Sequence, residues 1–123
     1  VILKAKLTVG QQAELYARTY LENQGLIWLA SNFSCRLGEI DLVMKTCKGE
    51  LVFIEVRRRS SDKFGGAAAS VTVSKQKKII KTAALYLLKH PNQGQHGVRF
   101  DVLAFDGKPA RLTWIKRAFD ADY

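Results

Sequence analysis

Apolar positions set the first expectations. Over residues 8–24, Ala13, Tyr16, Ala17, Tyr20 and Leu21 fall on one stripe at helical spacing. Thr8 and Gln11 form a capping-box pair at its start, and Gly25 stands where a helix would stop. Residues 26–33, 40–45 and 50–57 predict three strands, the last two with alternating character. Cys47-Lys48-Gly49 between them suits a three-residue hairpin loop with glycine in the left-handed position. A Ser/Gly/Ala loop at 60–70 precedes a second helix over 74–89, with Ile79, Ile80, Ala83, Ala84, Leu87 and Leu88 as its apolar stripe and His90-Pro91 as its end. A strand follows at 98–105 and a weaker one at 111–115. Three successive strands predict an antiparallel meander. The helix then carries the chain to a strand paired in parallel. The expected fold is α/β: a mixed β-sheet with an αβββαβ core flanked by helices.

Side chains alternate across a strand. On the second strand Ile40, Leu42 and Met44 are expected on one face, and Glu39, Asp41 and Val43 on the other. On the third, Val52, Ile54 and Val56 oppose Leu51, Phe53, Glu55 and Arg57. With 47–49 as the whole loop, Thr46 closes against Glu50, Val43 faces Phe53, and Asp41 faces Glu55. Two carboxylates would then stand with Cβ atoms roughly 5 Å apart on strands that are otherwise apolar. A cation between them relieves the repulsion. All-oxygen ligands with room for water and phosphate suit Mg²⁺ or Mn²⁺. Cys35, Cys47, His90 and His96 lack the spacing of a zinc site. Arg57 lies two residues beyond Glu55 on the same face, as a fixed positive charge beside metal and phosphate. Glu14 borders the stripe of the first helix and could reach the metal. Gln76 falls on the stripe of the second, where its amide could bond a phosphate or an attacking water. The competing reading is a solvated sheet face, with these acids paired to Arg57, Lys45 and Arg18.

Composition narrows the class. At 123 residues the chain is expected to be one domain, residues 1–123. A hydrophobic fraction of 47% with 25% charged residues excludes disorder as the main state. No run approaches the roughly 18 apolar residues of a membrane span. Val1-Ile2-Leu3 is too short for a signal-peptide core, and two cysteines make no disulfide framework, so a cytoplasmic, reduced protein is expected. Twenty Lys and Arg against eleven Asp and Glu give a net charge of +9. Residues 57–81 hold eight basic groups and one acidic group. So concentrated a charge is the footprint of a polyanion such as nucleic acid. No helix offers the bulky apolar face of a membrane-surface binder.

Gly10-x-x-x-Glu14, Gly38-Glu39-Ile40-Asp41-Leu42, Val52-Phe53-Ile54-Glu55-Val56-Arg57, Phe64-Gly65, Lys75-Gln76-Lys77 and Arg99-Phe100-Asp101-Val102 occur in this order. Together they resemble the YraN-like family of uncharacterised bacterial proteins. That family is similar to the PD-(D/E)XK nuclease superfamily, especially to Holliday-junction resolvases of archaeal type. The resemblance implies a restriction endonuclease-like fold. It implies Asp41 and Glu55 as ligands of Mg²⁺ or Mn²⁺, Glu39 assisting, Glu14 as a helix-borne acid and Gln76 as the polar helix residue of such sites. The chain departs from the superfamily motif in carrying Arg57 where lysine is usual. A buried lysine can release its proton and help activate water, whereas arginine cannot.

The leading expectation is a metal-dependent endonuclease that hydrolyses phosphodiester bonds in branched or structured DNA. Arg58, Arg59, Lys63, Lys75, Lys77, Lys78 and Lys81 would hold flanking phosphates, and Phe64 could stack on an exposed base. Symmetric cutting of a junction suggests a homodimer. The alternative is a nucleic-acid-binding module whose nuclease site is weakened or inactive, a reading that Arg57 favours. From another class comes a basic RNA- or ribosome-associated protein with purely structural acids, although most aromatic residues fall at expected core positions.

Overall fold

Thr8 caps the first helix as the capping-box pattern predicts. Its hydroxyl accepts from Gln11 N at 3.1 Å, and the Gln11 side chain accepts from Thr8 N at 2.9 Å. These contacts belong to a computed structural model that describes residues 6–61 and 65–121. Helix α1 (Val9–Asn23) is followed by strands β1 (Ile27–Cys35), β2 (Gly38–Lys45) and β3 (Leu51–Arg59). The one-turn helix α2 (Gly66–Ala69) and the long helix α3 (Val73–Lys89) come next, then β4 (Val98–Asp106) and β5 (Arg111–Phe119). The strands form one sheet in the order β1-β2-β3-β4-β5. All neighbours are antiparallel except β3 and β4, which run parallel because α3 carries the chain back across the sheet. This is the αβββαβ core expected from the pattern, extended by β5.

The hairpin closes as derived. Thr46 N donates to Glu50 O at 2.9 Å, Gly49 takes φ +91°, and Val43 stands opposite Phe53. Strand β5 outruns its prediction and reaches Phe119. Its second half carries Lys116 and Arg117, which hid it from a hydropathy reading. Buried Asp101 anchors that half by accepting from Arg117 N at 3.0 Å.

Each face of the sheet has its own core. Ala17 and Leu21 of α1 pack with Leu42, Met44, Val52, Ile54 and Leu103. On the opposite face, Ile79, Ala83 and Tyr86 of α3 pack with Ile40, Val43, Leu51, Phe53 and Phe100. Two stripe expectations need correction. Tyr16 is 61% exposed, touching Phe105 only edge-on. On α3, Ala84 is exposed and Leu88 is 77% exposed, while Thr82 and Tyr86 are buried. The helix can turn these polar residues inward because each hydroxyl finds an acceptor, Lys78 O for Thr82 and the Gln93 amide for Tyr86.

The expected faces of β2 also need correction. Ile40 lies in the same core as Val43, three residues on, rather than with Leu42 and Met44. Strict alternation would put residues three apart on opposite faces. The β2 alternation therefore slips across Asp41 and Leu42. On β1, Ala30 and Phe33 both pack against that same core, so the same slip occurs beside it. The two strands are in step there, with Ala30 opposite Val43 and Phe33 opposite Ile40.

Candidate functional site

At this slip four carboxylates from three elements converge. Glu14 comes from α1, Glu39 and Asp41 from β2, and Glu55 from β3. One carboxylate oxygen each from Glu14, Glu39 and Asp41 lie within 4.8 Å of one another. Asp41 is also within hydrogen-bonding reach of Glu55 and Glu14. The β2–β3 ladder runs from Lys45 opposite Leu51 to Leu42 opposite Ile54, one residue short of Asp41 and Glu55. At that point Asp41 Oδ2 accepts from Val56 N at 2.8 Å, so a side chain takes up a backbone donor.

The electrostatics are strained. Burial, then the charges of Asp41 and Glu39, push the Glu14 carboxyl up to about 7. Burial, then the Asp41 charge, push Glu55 up to about 8, although Arg57 pulls the other way. Burial raises Asp41 as well, against the Val56 N–H that favours its charged form. Arg57 Nη2 meets Glu55 Oε2 at 2.9 Å. Among the described residues, Glu55 Oε1 and Arg57 Nε are buried and find no hydrogen-bond partner. A buried polar atom left in that state is costly unless something else satisfies it.

These donors fit a hard divalent cation. All are carboxylate oxygens, three are in mutual reach, and the orphan Glu55 Oε1 lies alongside. The mutual set is Glu14, Glu39 and Asp41, with Glu55 beside it and held by Arg57. Glu14, expected as a helix-borne acid, thus stands among the candidate ligands. Two open clefts, of about 330 and 370 Å³, meet here and share Glu39, Asp41, Val56 and Arg57 as a common wall. The cleft on the α1 side is lined by Arg58 and Arg59, that on the α3 side by Lys75 and Lys78. Lys77 and Lys81 are exposed on α3 and line neither cleft. Gln76 lines neither cleft either, and its Nε2 donates to Val71 O at 3.0 Å. Lys63 and Phe64 lie outside the described residues.

Sequence reasoning missed Asn32. It lies on β1 opposite Asp41, in the register that runs from Ser31–Leu42 to Phe33–Ile40. Its φ is +53°, and with its amide nitrogen turned inward it donates to Glu14 at 2.8 Å and to Glu39 at 3.0 Å. An asparagine in a predicted strand, with no glycine beside it, gives no signal of this role.

Among the described residues, no helix is long and apolar enough to cross a membrane.

The family model described as "Uncharacterised protein family UPF0102" matches residues 13–105. A UPF0102 protein of Legionella pneumophila (strain Corby) is 49% identical over 112 residues, covering 91% of this chain and 94% of the relative. One from Janthinobacterium sp. (strain Marseille) is 50% identical over 117 residues, covering 95% and 91%. Among solved structures, one described as "Structure of EndoMS-dsDNA2 complex" aligns with a TM-score of 0.39 at 17% identity, over 83% of this chain and 38% of that one.

Proposed function

The chain belongs to the uncharacterised protein family UPF0102, and from that premise we propose that it is a divalent-metal-dependent nuclease that hydrolyses phosphodiester bonds in branched or structured DNA. One observation carries the reading. Glu14, Glu39, Asp41 and Glu55 crowd together where two basic-rimmed clefts meet, and among the described residues Glu55 Oε1 meets no hydrogen-bond donor. Purely structural acids would be expected to have their partners nearby.

The residues divide the work. Glu14, Glu39 and Asp41 would hold Mg²⁺ or Mn²⁺, with Glu55 at its flank. When bound, such an ion supplies Lewis acidity to a phosphoryl oxygen and acidifies a water. Arg57 offsets charge that builds on the phosphate in the transition state. Arg58 and Arg59 hold phosphates on one side of the acids, and Lys75 and Lys78 on the other. Val56 N, by bonding Asp41, fixes the orientation of that carboxylate. The branched-substrate part of the reading rests on the resemblance to junction resolvases, and a substrate with two equivalent strands would call for two copies of the chain.

The test is incubation with four-way-junction and linear DNA in Mg²⁺ or Mn²⁺. Metal-dependent strand cleavage by the wild type, abolished by Asp41→Ala, is expected. No cleavage by the wild type, or full cleavage by Asp41→Ala, would reject the proposal.

One observation favours a second reading, a DNA-binding module with a weakened site. Arg57 already occupies Glu55 Oε2 at 2.9 Å, and an arginine cannot give up its proton to help activate water. Arg57→Lys separates the two. A large gain in cleavage would mark the native site as compromised, whereas unchanged or reduced cleavage would mark Arg57 as a working part of it.

A further inference from the structure

We infer that Asn32 is the positioning residue of the acidic cluster: its left-handed backbone re-aims the strand pair, and its amide bridges Glu14 to Glu39. The inference rests on the metal-dependent reading above.

Three observations bear on it. First, Asn32 has φ +53° inside β1, a conformation that L-residues visit rarely in a strand and that asparagine tolerates better than most. Second, the break in alternation is shared by both strands at this place. Ala30 and Phe33 on β1, and their partners Val43 and Ile40 on β2, all face the α3-side core. Only Ser31–Leu42 and the Asn32–Asp41 position lie between those pairs. Two residues fill a gap that regular strands would fill with one, much as a bulge does when it redirects a side chain. Glu39, next to inward-facing Ile40, then points the other way, towards α1 and Glu14. Had β2 kept its alternation, Ile40 would share the α1-side core with Leu42, and Glu39 would face away from Glu14. Third, with the Asn32 amide turned so that its nitrogen rather than its oxygen meets the carboxylates, it donates to both acids, at 2.8 Å to Glu14 Oε1 and 3.0 Å to Glu39 Oε1. Those bonds hold together two like-charged groups from different elements that would otherwise separate.

Asn32 therefore acts through the ligands rather than on the substrate. Polar groups that orient ligating carboxylates commonly change metal affinity by about 10- to 100-fold when removed. The experiment is calorimetric titration of Mn²⁺ into the wild-type chain, Asn32→Gly, Asn32→Ala and the double variant Asn32→Gly/Glu39→Gln. Thermal unfolding is recorded alongside for each.

Asn32→Gly keeps the left-handed backbone free of strain but lacks the amide. It is expected to bind Mn²⁺ about tenfold more weakly with little change in Tm. Asn32→Ala loses the amide and also strains the backbone, so it is expected to lose at least as much affinity and to melt lower than Asn32→Gly. In a Glu39→Gln background, Asn32→Gly should cost much less affinity than it does alone, because one of the two carboxylates it positions is gone. A purely structural role would leave that cost unchanged. Wild-type binding of Mn²⁺ that neither single variant alters would overturn this inference while leaving the metal site standing. No Mn²⁺ binding by the wild type would overturn the site and the inference together.

Discussion

Two groups of acids, one around Asp101 and one around Glu55, each hold a buried carboxylate under opposite conditions. Asp101 on β4 is fully buried, and each of its oxygens is bonded. Arg99 reaches it from Nε and Nη2 at 3.1 Å, Trp114 Nε1 at 2.8 Å and Arg117 N at 3.0 Å. Glu50 completes the network by accepting from Arg99 at 3.2 Å and Arg117 at 2.8 Å. At the β2–β3 end, four acids face two clefts, and among the described residues they hold one ion pair with Arg57, an oxygen without a partner and a guanidinium nitrogen without one. Burial alone therefore does not mark a functional carboxylate. What separates the two groups is whether the protein supplies the counter-charges itself. The Asp101 network closes on protein donors, and the other group lacks a full set of them among the described residues.

Substitution should split the two groups by sign. The largest effect is expected at Asp101→Ala, which strands a mostly buried Arg99 without its main partner. A stability loss of about 3–5 kcal/mol in urea unfolding is predicted. A loss of the same size from Asp41→Ala would erase the contrast. Next comes Glu55→Gln, which removes a charge that the fold disfavours. It should raise stability at pH 8 by about 1–2 kcal/mol, part of the gain being offset by the weakened contact with Arg57. The same measurement on Asp101→Asn should show destabilisation.

The pH dependence follows from the raised carboxyls. Glu14 and Glu55 move from about 4.5 to about 7 and about 8, so the folded chain binds more protons than the unfolded chain across that window. Their contribution to stability is fully present below about pH 4.5 and is lost as pH rises towards 8. Tm of the metal-free protein should fall over this range. Excess Mn²⁺ should oppose the fall by binding the deprotonated acids, and Glu55→Gln should flatten it. A Tm that rises between pH 5 and 8 in wild type without metal would contradict the picture. The smallest effect belongs to the cleft rims. Arg58→Ala or Lys75→Ala should each reduce the salt slope of DNA binding by about one, read by anisotropy over a salt series.

The difference between the two groups also shows what the sequence could disclose. The Thr8 cap, the 47–49 loop and the Val43–Phe53 register are local rules, and they were legible because each depends on a few adjacent residues. The closeness of Asp41 and Glu55 followed from that register. The grouping of Glu14, Glu39 and Asp41 did not, because it depends on a slip in alternation where Asn32 and Asp41 meet on different strands. Two-residue periodicity assumes the pleat continues and has no means of signalling that it stops. Gln76 shows a related limit. A position on the helical stripe says which face it shares, but not that its amide will turn back to Val71 O. Asp101 lies in the Arg99-Phe100-Asp101-Val102 motif, yet only the fold reveals that Trp114 and Arg117 close around it.

The wall shared by the two clefts has a consequence for whatever occupies them. Glu39, Asp41, Val56 and Arg57 line both clefts and so lie between Arg58 and Arg59 on one side and Lys75 and Lys78 on the other. On the proposed reading, an occupant that reaches both basic rims is a polymer backbone passing over these four residues.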